Sequence, residues 1–68
     1  MEFLLVVYPE DREVQIEGVE AGLTNHLITL SPGKYTISLA PPRDFFPDEQ
    51  EVLVQGTSPL DPKEVVFD

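Results

Sequence analysis

The stretch "LITLSPGKYTISL", Leu27 to Leu39, decides the fold. Apolar residues fall at every second position on both sides of Ser31-Pro32-Gly33, the period of a half-buried β-strand. In the second half Tyr35, Ile37 and Leu39 point one way and Thr36, Ser38 and Ala40 the other; in the first, His26, Ile28 and Leu30 share a face. Proline fixes φ near −65° for the first corner of a type II turn, and glycine tolerates the positive φ of the second. The expectation is an antiparallel hairpin closing at Pro32-Gly33, with Ile28 and Leu30 on the same sheet face as Tyr35 and Ile37.

The rest of the chain repeats this signal. "REVQIEGVEAGLT" predicts a strand with Val14 and Ile16 inward, a reversal at Gly18 and a short strand ended by Gly22. "PPRDFFPDEQ" and "TSPLDP" are loops, followed by the strands "EVLVQG", with Val52 and Val54 inward, and "EVVFD". Seven prolines are spread along the chain, and proline in a helix interior costs about 3 kcal/mol, so few windows remain for a helix. Residues 1–68 are expected to form one all-β domain, a small antiparallel sandwich of six or seven short strands.

The first strand is different. Phe3, Leu5 and Val7 line one face and Leu4, Val6 and Tyr8 the other, so neither face is marked for water. Such a strand lies between two layers or presents a face to another chain; left bare, it is an aggregation-prone edge.

From Val14 to Leu39 the sequence "VQIEGVEAGLTNHLITLSPGKYTISL" resembles the PEGA domain. That family carries a strand, an acid or Asn followed by Gly, a second Gly four residues on, Thr-Pro (where this chain has Thr24-Asn25), an alternating strand, Pro-Gly-x-Tyr and a further strand. Glu17-Gly18, Gly22, Thr24, Leu30, Pro32-Gly33 and Tyr35 fall on that spacing, and the pattern runs on through residue 55. The resemblance implies a small β-sandwich with a structural or protein-binding role and no catalytic residues.

Composition narrows the function. Thirteen acidic residues against four basic ones give a net charge of −9, which disfavours nucleic acid and anionic membranes, since both are held by Lys and Arg. An apolar fraction of 41% is too high for a disordered acidic tail. A chain of 68 residues buries only about 60% of its unfolded surface, and such domains lean on disulfides, metals or partner subunits. With no cysteine, a homo-oligomer is the expected remedy. The acid at Glu2 stands where a secretory leader carries a cation, so a cytoplasmic protein is expected.

Residues with chemical potential have plainer readings. His26 is the sole histidine, too little for a metal site without cysteines, and reads as a half-buried residue at a strand start. Asp44, Asp48, Glu49 and Glu51 lack the glycine-assisted ligand spacing of a calcium loop and read as a solvated acidic stretch. Glu10 and Asp11 begin a turn. Neither a nucleophile elbow nor a phosphate-cradling glycine loop is present, so no enzyme activity and no cofactor are expected. Phe45 and Phe46, adjacent in an extended loop, point opposite ways, leaving one near the surface. The residues expected to carry self-association are therefore Leu4, Val6 and Tyr8 of the first strand and Phe45 and Phe46 of the loop. Two other functions fit: a carbohydrate- or ligand-binding domain using the rings of Tyr8, Tyr35 and Phe46, and an acidic decoy for a basic protein partner.

Overall fold

In the computed structural model, which describes residues 1–68, seven strands and no helix follow the alternation of the sequence: β1 (Glu2–Val7), β2 (Glu13–Ile16), β3 (Val19–Leu23), β4 (Leu27–Leu30), β5 (Gly33–Leu39), β6 (Gln50–Val54) and β7 (Lys63–Val66). They form two sheets, β4-β1-β7 and β3-β2-β5-β6, packed as a small sandwich. The core between them takes Leu4, Val6, Ile28, Val65 and Phe67 from the three-stranded side and Val14, Ile37, Leu39 and Val54 from the other. Tyr8 and Phe45 close one end.

The hairpin expected at Pro32-Gly33 does not form. β4 pairs with β1, through Leu4 opposite Ile28 and Leu5 opposite Leu27, whereas β5 pairs with β2 and β6 in the other sheet. Ser31-Pro32 is an arch from one layer to the next. Gly33 is extended, with φ 158°, and already stands opposite Val54, so it cannot be the left-handed corner of a type II turn. The Tyr35 hydroxyl donates to the Ser31 carbonyl at 2.6 Å and fastens the arch. Ile28 and Ile37 still share one core, from opposite layers of the sandwich instead of from one sheet. Alternation specifies which face is apolar but not which strand lies alongside.

Two further differences have local causes. The sandwich is not wholly antiparallel, because β7 runs parallel to β1, with Val6 opposite Val65 and Val7 opposite Val66. No turn joins these two strands, so nothing local sets their relative direction. β3 also runs through Gly22 to Leu23. A Cβ at Gly22 would lie 2.9 Å from Ile28 Cγ1, so glycine here lets β4 pack close.

The β2–β3 reversal does occur where the sequence placed it. Glu17 and Gly18 have φ of 53° and 78°, positive at both corners as a two-residue type I′ hairpin requires. A buried threonine ties β3 to the segment before β2: the Thr24 hydroxyl donates to the Glu10 carbonyl and accepts from the Arg12 amide, both at 2.7 Å. Asn25, at φ 65°, extends the β1–β4 ladder with its side chain, its Nδ2 donating to the Tyr8 carbonyl at 2.9 Å.

Candidate interaction surface

β1 is central in its sheet, and its alternation gives that sheet two apolar faces. Leu4, Val6 and Tyr8 point inward and are buried, as is Phe45. The expectation that these four form an association surface is therefore corrected: they are core. Glu2 and Tyr8 stand at the two ends of that face of the strand and bring polar atoms to it. The structure satisfies both ends. Glu2 accepts from the Thr57 amide and hydroxyl at 2.9 and 2.7 Å, bonds that also lower its pKa. The Tyr8 ring lies beneath the Arg12 guanidinium, 5.3 Å from its centroid.

The uncovered face carries Phe3, Leu5 and Val7. The register sets Thr29 beside Phe3, Leu27 and Glu64 beside Leu5, and Val66 beside Val7 on the same side. Leu27 is 46% exposed and Val66 51%. Phe46, 73% exposed, continues the row. Its amide donates to the Asp68 carbonyl at 2.7 Å and accepts at its own carbonyl from the Asp68 amide at 2.8 Å. This reciprocal pairing places Phe46 on the side of Asp68, hence of Val66. Adjacent Phe45 turns inward, edge-on to Tyr8 and Phe67 with ring centroids 6.4 and 5.9 Å away. Of the two loop aromatics, Phe46 is the one at the surface.

The outer face of the four-stranded sheet has the opposite character. Glu13 and Gln15 of β2, Glu17 of the turn after it, Lys34, Thr36 and Ser38 of β5, and Glu51 of β6 point outward, with Leu53 of β6 and Leu23 of the edge strand β3 the apolar residues among them. Here an open hollow of about 450 Å³ is lined by Gln15, Glu17, Thr36 and Ser38 on the sheet side and by Arg43, Asp48 and Glu49 of the loop. The four sequence-marked acids thus separate: Asp48 and Glu49 edge the hollow, Glu51 lies on β6, and Asp44 turns to Arg12. No three His, Cys, Asp or Glu side chains are grouped as metal ligands require. His26 is exposed in a bend before β4, with Nε2 3.4 Å from Asp11 Oδ2, not half-buried on the strand.

Arg12 gave no signal in the sequence, yet it is the best-connected side chain of the molecule. Nη1 donates to the carbonyls of Ala40 and Pro42 and to Asp44 Oδ1 at 3.1, 3.0 and 3.0 Å, and Nη2 donates to Glu10 Oε2 at 2.9 Å. The bond to Asp44 is the largest cause holding the guanidinium protonated, and reciprocally it lowers the Asp44 pKa. Only the assembled fold brings positions 12 and 44 together.

No family model, curated protein or solved structure matches this chain. No helix is long and apolar enough to cross a membrane.

Proposed function

We propose that this protein is a non-catalytic interaction module that self-associates through the outer face of its three-stranded sheet. One observation carries the reading. On a molecule of net charge −9, the outward residues of β1, β4 and β7 are Phe3, Leu5, Val7, Leu27, Thr29, Glu64 and Val66, with Glu64 the one charge among them, and Phe46 extends the row beside Asp68. Contiguous apolar surface on a small soluble domain marks a site of association. Two such anionic chains repel each other least where charge is scarce, which favours this face over the acidic outer face of the four-stranded sheet. The thin interior, with 12 of 68 residues buried and no disulfide, gains from a partner subunit. The PEGA-like spacing of residues 14–55 supports a structural role in the same direction.

Light scattering on the intact chain tests the proposal. A mass above that of the monomer is expected at high micromolar concentration, falling on dilution, and Leu27→Glu or Val66→Glu is expected to return it to monomer while leaving the circular dichroism of the fold unchanged. A strict monomer across that range contradicts self-association.

The acidic outer face of the four-stranded sheet favours a second reading, capture of a basic protein partner. Binding that vanishes with modest salt would support it. The carbohydrate reading retains one freely exposed ring, Phe46, because Tyr8 is buried and Tyr35 is half-buried with its hydroxyl engaged by Ser31.

A further inference from the structure

We propose that Arg12 is a clasp that seats the 40–46 segment and thereby sets Phe46 into the apolar face; the role of Phe46 in association rests on the function proposed above. The segment from Ala40 to Phe46 belongs to no strand. Its backbone bonds to the rest of the molecule lie at its two ends, Ala40 to Glu13 and Phe46 to Asp68; the remaining one, Asp44 to Pro42, is internal. Between those ends the carbonyls of Ala40 and Pro42 and the carboxylate of Asp44 all converge on the guanidinium of Arg12. A rigid planar fork is suited to holding three acceptors that no ladder satisfies, and a lysine ammonium cannot reproduce it.

The clasp also has a base. The Arg12 side chain is only 11% exposed and lies over Tyr8, whose ring meets Phe45 edge-on. Phe45 in turn meets Phe67. Holding Asp44 keeps Phe45 against Tyr8 and Phe67 at the sandwich end, and with Phe45 seated inward the chain geometry turns Phe46 outward beside Val66. Arg12 is thus a positioning residue: it touches neither Phe46 nor any partner.

The test is hydrogen exchange of the Phe46 and Asp68 amides, each bonded to the other's carbonyl, in dilute monomeric wild type and Arg12→Met, with β5 amides as a control for the fold. Methionine keeps the apolar cover over Tyr8 and removes the fork. Exchange at both amides is expected to accelerate about tenfold or more, the scale of one charge-assisted hydrogen bond, with β5 unchanged and Arg12→Lys intermediate. Unchanged protection at Phe46 in Arg12→Met overturns the clasp. If Arg12→Met loosens β5 as well, Asp44→Asn is read instead, and the same acceleration restricted to Phe46 and Asp68 is required. Phe46→Ala is expected to weaken self-association in wild type and to add nothing in Arg12→Met. Should the amides respond while Phe46→Ala leaves association untouched in wild type, the clasp stands and the interaction face falls.

Discussion

The two outer faces of this sandwich are built from the same alternation and carry opposite chemistry. Outside β2, β5 and β6 the exposed positions are Glu, Gln, Lys, Thr and Ser, with Leu53 the exception; outside β1, β4 and β7 they are Phe, Leu and Val, with Thr29 and Glu64 the exceptions. Both sheets donate apolar side chains to the shared core, so the difference is not needed for folding. A face that stays apolar with no packing role in the monomer is where contact with another molecule gains most.

The contrast is sharpest between neighbours on β1, and the largest effect is expected there. Leu4→Ala removes a fully buried side chain and is expected to cost about 2–5 kcal/mol, enough to unfold much of a domain this small. Leu5→Ala, one residue along on the uncovered face, is expected to cost the dilute monomer under about 1 kcal/mol. Urea unfolding of both variants at low concentration measures the gap. Equal losses would mean that the outer face is also packed.

Next in size is the join between the sheets. Gly22→Ala drives a methyl against Ile28 and is expected to destabilise by about 1–3 kcal/mol. Thermal melts of Gly22→Ala alone and with Ile28→Val, which shortens the opposing side chain, show whether that contact is responsible. Partial rescue by the second change is the expected outcome.

Acid should act through the groups that tie loops to the two sheets. The Asp44 pKa is lowered by its bond to Arg12, so its contribution is fully present above the usual aspartate value and is lost as pH falls through the lowered value in the fold. Glu2, lowered by Thr57, has the same sign. Asp44→Asn is therefore expected to flatten the acid limb of the stability profile, as followed by melting temperature from neutral to strongly acid solution. An unaltered limb would remove Asp44 from the acid response.

The smallest effect is expected on the polar face. Glu51→Gln, on the exposed side of β6, should change stability by no more than about 0.5 kcal/mol and leave the self-associated mass intact in light scattering.

Much of this architecture was legible before folding. Inward Val14, Ile37 and Val54 follow from alternation alone, and Glu17-Gly18 carries its own turn chemistry. The partner of β4 was not legible, because Ser-Pro-Gly-Lys is as compatible with an arch as with a hairpin, and the choice is made by β1, which lies far away in sequence. The same strand hid the interaction face. With Phe3, Leu5 and Val7 on one side and Leu4, Val6 and Tyr8 on the other, both sides are apolar, and the inward one is set by register against β4 and β7. Arg12 was invisible for a related reason: its acceptors at 40, 42 and 44 come together only when the 40–49 loop folds back over the sandwich end.

The most direct test of the central claim is the change in backbone amide chemical shifts on dilution from high to low micromolar concentration. Shifts are predicted to concentrate at Leu5, Val7, Leu27 and Val66 and to spare Gln15, Thr36 and Ser38. Shifts clustered on the second group, or none anywhere across the dilution, would contradict the assignment of the apolar face as the surface through which this protein meets its own kind.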